Sequence, residues 1–153
     1  MNSTISTNED LIQLSEELQR IYAMHTMRIL VAVQDFSSKR LLQGFFQQKK
    51  FRQYQTFDKG TELIQTLMNC KDRCLVIYDL EMPDKNGLEL LAVVRKNGEP
   101  MKNVQVLMCT GSLQWQAREK LMSSGVNAML QKPFSQESLL ESLKELHIAL
   151  PAQ

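Results

Sequence analysis

The sequence has no apolar run approaching the roughly 20 residues of a membrane span. Its amino terminus, MNSTISTNEDL, is polar and acidic, unlike the basic and apolar pattern of a secretory signal. Three cysteines do not make a disulfide framework. Cys70 and Cys74 form a lone C-x3-C pair with no companion cluster of Cys or His to complete a metal site. Cys74 and Cys109 fall in predicted strands, where a reduced thiol packs as a small apolar group, so a reducing cytoplasm is expected. A net charge of +1 gives no electrostatic case for nucleic acid or for an anionic membrane. There is no G-x-S-x-G elbow and no G-x-x-x-x-G-K-[ST] loop. Internal repeats and low-complexity tracts are absent too.

What is present is an ordinary globular composition, 43% apolar and 23% charged over 153 residues, enough for one cored domain with an appendage. Residues 1–26 read as an N-terminal extension whose stretch from about 8 to 24 is an amphipathic helix. Thr7 and Asp10 have capping-box spacing, and Leu11, Leu14, Leu18 and Ile21 recur at steps of three and four. From 27 to 150, five strands alternate with five helices, and 151–153 form a tail. The strands are MRILVAV (27–33), FRQYQTF (51–57), CLVIYD (74–79), VQVLMCT (104–110) and NAMLQ (127–131). The helices cover 36–48, about 59–69, 87–97, 112–125 and 135–150. Ser135 is a suitable N-cap for the last of these, but Ser138 stands where a capping box prefers Glu or Gln, so no box is expected.

Alternation of this kind predicts a doubly wound α/β fold: a five-stranded parallel sheet of order 2-1-3-4-5 with helices on both faces, plus the N-terminal helix. The near-continuous apolar runs of strands one, three and four fit burial on both sides. In such sheets ligands bind beyond the carboxyl ends of the strands, where the strand order reverses. Strand one ends in Gln34-Asp35, strand three in Asp79, strand four in Thr110-Gly111-Ser112 and strand five in Gln131-Lys132-Pro133.

Each of these residues also has a plainer reading. Asp79 could be a turn residue, Asp35, Thr110 or Ser112 a helix cap, and Lys132 a solvated surface lysine. Together, at four ends of one sheet edge, they suggest a pocket. Two facing carboxylates repel unless a metal, a proton or a cation such as Lys132 compensates. That set suits phosphoryl chemistry, in which a metal and a lysine neutralise charge and a hydroxyl donates to phosphoryl oxygen.

The stretch from Asp79 to Gly87, DLEMPDKNG, resembles the D-x-x-M-P-x-x-x-G signature of response regulator receiver domains in two-component signalling. Thr110 after VLMC, Lys132-Pro133-Phe134 after AMLQ, and ILVAVQDFSSKR are similar to the family's other motifs, most closely in stand-alone chemotaxis-type members. The resemblance covers about 27–150. It implies that Asp79 accepts a phosphoryl group from a histidine kinase, a histidine phosphotransfer protein or a small phosphodonor. It further implies Mg²⁺ as cofactor, held by Asp35, Asp79 and the main-chain carbonyl of Glu81. Lys132 would pair with phosphoryl oxygens, aimed by a cis bond before Pro133, and Thr110 would hydrogen-bond the phosphoryl group. Met82 and Pro83 belong to the acceptor loop, and Gly87 would permit the turn after it.

Two departures stand out. Gln34 replaces the first acid of the usual pair, which removes a negative charge and should weaken Mg²⁺ binding. Met129 replaces the switch aromatic, so coupling to Thr110 would take another route. Glu81 and Ser112 occupy the positions that tune dephosphorylation in the family.

No enzymatic or DNA-binding domain is seen after Leu150, so output is expected through a downstream protein target or through the N-terminal segment. Trp115, Arg118 and Met122 lie well round from the Leu113, Ala117 and Leu121 stripe, as a partner surface or, for Trp115, as packing over a neighbouring helix. The N-terminal stripe suits a homodimer seam, a linker from a longer signalling protein, or docking onto the receiver, with docking preferred. The main alternative function is a pseudo-receiver that binds a partner without phosphorylation. A small enzyme or flavin protein on the same fold fits less well.

Overall fold

The computed structural model describes residues 8–71, 73–98, 101, 103–111, 115–146 and 148, with the side chains of 19–25 and 115–117 excepted. Thr7 and Ser112 therefore lie outside the described residues, as do the side chains of Ile21, Trp115 and Ala117. The chain runs α1 (Asn8–Thr26), β1 (Arg28–Ala32), α2 (Phe36–Gln48), β2 (Gln53–Thr56), α3 (Gly60–Met68), β3 (Cys74–Asp79), α4 (Gly87–Lys96), β4 (Val104–Thr110), α5 (Trp115–Ser123), β5 (Ala128–Gln131) and α6 (Gln136–Glu145). The strands form one sheet of order β2-β1-β3-β4-β5, all pairs parallel, which bears out the predicted architecture.

Alternation along each strand divides the core in two. Ile29, Val31, Leu75, Ile77, Leu107 and Leu130 face one side and meet Leu42, Phe45 and Phe46 of α2 and Leu139 and Leu143 of α6. Leu30, Val76, Tyr78, Val106 and Met108 face the other side and meet Leu63 and Leu67 of α3, Leu90, Leu91 and Val94 of α4, and Leu121 of α5. Each fully buried aliphatic side chain contributes about 1.5–3 kcal/mol, so both faces must be covered for the sheet to hold.

Helix ends follow local chemistry. Asn86 caps α4 in a reciprocal box with Glu89, each bonding the other's backbone N–H at 2.9 and 3.1 Å. α6 starts with a box as well, against expectation: the Ser138 hydroxyl accepts from the Ser135 N–H at 2.9 Å, and the Ser135 hydroxyl accepts from the Ser138 N–H at 3.1 Å. A short hydroxyl in contact range does the work usually assigned to Glu or Gln. Of the N-terminal stripe, Leu11, Leu14 and Leu18 are 52, 41 and 57% exposed, while the Ile21 side chain lies outside the described residues. α1 contacts β2, the edge strand.

Candidate functional site

β3 is buried along all six residues and ends on Asp79, itself only 2% exposed. The chain turns at once, with the Met82 N–H bonding back to the Asp79 carbonyl at 3.2 Å. A carboxylate this deep requires partners, and Asp79 has three. Its Oδ1 accepts from the Glu81 N–H at 3.2 Å, and its Oδ2 from Lys132 Nζ at 2.5 Å and the Gln34 N–H at 3.3 Å. Asp79 is therefore not merely a turn residue.

Asp35 fulfils two readings at once. Its Oδ2 accepts from the Ser38 N–H at 2.9 Å and caps α2, while its Oδ1 lies 2.7 Å from Lys132 Nζ. Lys132 follows β5, fixed by its N–H bonding the Thr110 carbonyl at 2.8 Å and followed by a cis bond to Pro133. Its side chain is only 18% exposed, which overturns the solvated-surface reading.

Electrostatics agree with this geometry. Burial alone would raise the Asp35 pKa, but the Lys132 hydrogen bond, the Ser38 backbone and hydroxyl bonds and the Lys132 charge hold it at about 2. Burial would likewise lower the Lys132 pKa, yet the two carboxylates raise it. The ammonium thus lies between the two carboxylates and offsets their mutual repulsion.

The donors available to a metal here are two carboxylates and the Glu81 carbonyl, all oxygen. Among the described residues no cluster of three or more Asp, Glu, His or Cys could hold an ion. That set fits Mg²⁺, which uses one or two carboxylates and keeps several waters. Gln34 Nε2 donates to the Glu81 carbonyl at 2.5 Å, so the amide sits on one of the three donors.

Thr110 ends β4, 1% exposed, with its hydroxyl 3.4 Å from a Glu81 carboxylate oxygen. Met129 is half-buried against the α3/α4/α5 side of the core. Met82 is buried and Pro83 exposed. Gly87 needs correction. Its backbone has no positive φ, so it is not required by the turn. A Cβ there would lie 2.4 Å from Met108 Sδ and 3.1 Å from Leu80 Cα, so glycine serves close approach of α4 to the sheet. Of the partner-surface trio, Arg118 and Met122 are exposed and line a cleft of about 330 Å³ with Met129, Ser138 and Glu141.

Two residues near the site escaped the sequence reading. Asp84 accepts from the Gly60 N–H, the Thr61 N–H and the Thr61 hydroxyl at 2.9, 2.9 and 3.0 Å. It caps α3 in place of Lys59, whose side chain makes no cap bond. Tyr78 donates to the Lys85 carbonyl at 2.6 Å, and its hydroxyl would lie 1.8 Å from a Cβ on Gly60. The loop after β3 is thereby stitched to α3. Only the D in D-K-N-G hinted at a capping role.

A family model for the response regulator receiver domain matches residues 29–144. Chemotaxis protein CheY-3 of Vibrio cholerae is 31% identical over 121 residues, 78% of this chain and 91% of that protein. The CAI-1 autoinducer sensor kinase/phosphatase CqsS of Vibrio cholerae is 26% identical over 140 residues; they are 92% of this chain but only 19% of that protein. Among solved structures, chemotaxis response regulator CheY4 of Vibrio cholerae superposes with a TM-score of 0.67 at 24% identity, covering 79% of this chain and 99% of that one. The receiver domain of a Pseudomonas aeruginosa sensor histidine kinase, solved with a magnesium ion coordinated in its active-site cleft, has a TM-score of 0.67 at 16% identity, covering 80% and 98%. At these identities the two structures speak for the fold alone.

Proposed function

The chain belongs to the response regulator receiver domain family of two-component signalling, and from that premise we propose that it is a phosphoacceptor switch with Asp79 as the acceptor. The observation that carries this reading is the Lys132 ammonium held between the Asp35 and Asp79 carboxylates at 2.7 and 2.5 Å, beneath the hydroxyl-bearing end of β4. A structural ion pair needs one acid. A second acid and a neighbouring hydroxyl supply a site that can exchange partners when a dianionic phosphoryl group arrives.

In the proposed reaction an Asp79 carboxylate oxygen attacks phosphorus of a phosphohistidine on a histidine kinase or phosphotransfer protein. The P–N bond breaks as the P–O bond forms, and the imidazole leaves with a proton. Mg²⁺, when bound by Asp35, Asp79 and the Glu81 carbonyl, would neutralise charge on the phosphoryl oxygens. Lys132 leaves Asp79 Oδ2 for a phosphoryl oxygen while keeping Asp35. Thr110 turns its hydroxyl from Glu81 to the phosphoryl group. Gln34 releases the Glu81 carbonyl. The cleft lined by Arg118, Met122 and Met129 then presents a changed surface to a downstream protein target.

The test is intact-protein mass after incubation with acetyl phosphate and Mg²⁺. Gain of one phosphoryl group is expected in the wild type, and none with Asp79→Asn or with EDTA. A wild type that gains nothing, or an Asp79→Asn variant that gains as much, overturns the proposal.

A further inference from the structure

At the end of the sheet opposite Asp79, the segment between α3 and β3 brings two thiols together. Asn69 and Cys70 turn back on the last turn of α3 through N–H bonds to the Thr66 and Leu67 carbonyls at 3.2 and 3.0 Å. Cys74 opens β3 and is tied to the neighbouring strand entrance by its N–H to the Asn103 carbonyl at 3.4 Å. Cys70 Sγ lies 2.9 Å from Cys74 Sγ. That is within about 1 Å of the ~2.05 Å bond length of a disulfide. Cys70 lies beyond the end of α3 and Cys74 is the first residue of β3, so the pair sits where the helix gives way to the strand.

The thiols differ in access. Cys70 is half-buried at the surface, while Cys74 is 1% exposed and packs with Leu30 and Val76. Cys109, the remaining cysteine, is fully buried at the other end of the sheet, and burial pushes its thiol up to about 12. An oxidant arriving from solvent therefore reaches the half-buried Cys70 more readily than the fully buried Cys74. This is the arrangement of an attacking and a resolving cysteine.

We propose that Cys70 and Cys74 form a redox modification site that closes into an intramolecular disulfide on exposure to a peroxide. The Cys70 sulfur attacks a peroxide oxygen, the O–O bond breaks, and one water leaves with a sulfenic acid on Cys70. The Cys74 sulfur then attacks that sulfur and expels hydroxide, which leaves as a second water. In sum two thiols and one hydrogen peroxide give one disulfide and two waters, with sulfur oxidised and peroxide oxygen reduced. Cytosolic disulfides of this kind are transient and sensing rather than structural. The inference stands apart from the phosphoacceptor reading, since neither thiol touches that site.

The sequence offers a clean test, because Lys71 and Arg73 lie between the two cysteines. Trypsin therefore separates residues 60–71 from residues 74–85, and only a disulfide holds those peptides together. The full chain is reduced, desalted, treated with an equimolar amount of hydrogen peroxide and alkylated after denaturation. The expected product is lighter than the reduced protein by two hydrogens before alkylation, carries a single alkyl group, on Cys109, and yields the linked peptide pair. Dithiothreitol should restore alkylation at all three cysteines. In Cys74→Ser, checked for native circular dichroism, Cys70 should instead accumulate one or more oxygen atoms. Full alkylation of the treated wild type, sulfinic acid on Cys70 with Cys74 still alkylated, or a Cys70-linked dimer would each overturn the proposal.

Discussion

Gln34 occupies the pocket twice, through its N–H on Asp79 Oδ2 and its side-chain amide on the Glu81 carbonyl. On the proposed reading the amide competes with Mg²⁺ for that carbonyl, so two single substitutions separate its effects. Gln34→Asp adds a charge near the cation, worth about 1 kcal/mol or more at hydrated contact distance, so Mg²⁺ should bind at least about fivefold tighter. Gln34→Ala removes only the competing donor and should give a smaller gain. Calorimetric titration with MgCl₂ checks both, and an Ala variant no tighter than wild type would remove the competition argument. The missing acid was legible in the sequence. The amide on the carbonyl was not, since it depends on a rotamer chosen between residues 47 apart. Lys132 makes a second residue-scale prediction. Lys132→Met strands the buried Asp79 carboxylate and should cost about 3 kcal/mol at pH 7 in urea denaturation. Asp35 sets the acid limb. Its folded pKa of about 2 lies below the ordinary 3.8, so its stabilising share is complete above about pH 3.8 and disappears as pH falls through about 2. Urea midpoints taken from pH 5 to pH 2 should fall for the wild type and fall less for Lys132→Met, which has lost the main partner of Asp35.

Among the elements, α3 is the one whose start is fixed from a distance. Asp84 reaches across from the loop after β3 to three donors at its N-terminus, which the helix's own flanking residue leaves without a side-chain cap. Asp84→Ala should cost about 1 kcal/mol, the usual loss of a helix cap, and hydrogen exchange should accelerate at the Gly60 and Thr61 amides before anywhere in α4. The Thr61 and Gly60 backbone bonds, outweighing burial, hold the Asp84 pKa at about 2, so this tether too weakens as pH falls from about 3.8 through 2. A cap contributed 24 residues away has no local signature, whereas the α4 box joins Asn86 and Glu89 only three residues apart. α6 shows the converse limit. Its apolar rhythm predicts a helix to 150, yet the helix ends at Glu145. Leu146 and Ile148 remain buried, with the Ile148 N–H turning back to the Leu143 carbonyl at 3.1 Å. The periodicity reported which residues are covered, not that the backbone stays helical while covering them. β1, β3 and β4 were readable because strands buried on both faces leave almost no polar residue inside the run, and β3 and β4 end on the polar side chains of the site, Asp79 and Thr110.

Across the whole molecule, among the described side chains, the two halves of the core both begin at Met27 or later. The strand order, the coverage of both faces and the gathering of Asp35, Asp79 and Lys132 at one edge all follow from parallel crossovers of one hand, which is why the fold was legible from alternation alone. α1 is different in kind. Leu11, Leu14 and Leu18 repeat at a and d spacing, yet they face solvent, so they stabilise the receiver little and are set for burial elsewhere. A variant lacking residues 1–26 should therefore keep a cooperative melt with Tm within about 4 °C of the full chain, a shift equivalent to about 1 kcal/mol or less. If the stripe is a homodimer seam, the full chain should sediment faster as its concentration rises, and Leu14→Glu should abolish that dependence without shifting the melt of the dilute protein. Two heptads are a short seam, so association is expected in the micromolar range or weaker. Loss of cooperative unfolding in the shortened variant would instead show that side chains from the second half of α1 belong to the receiver's own core.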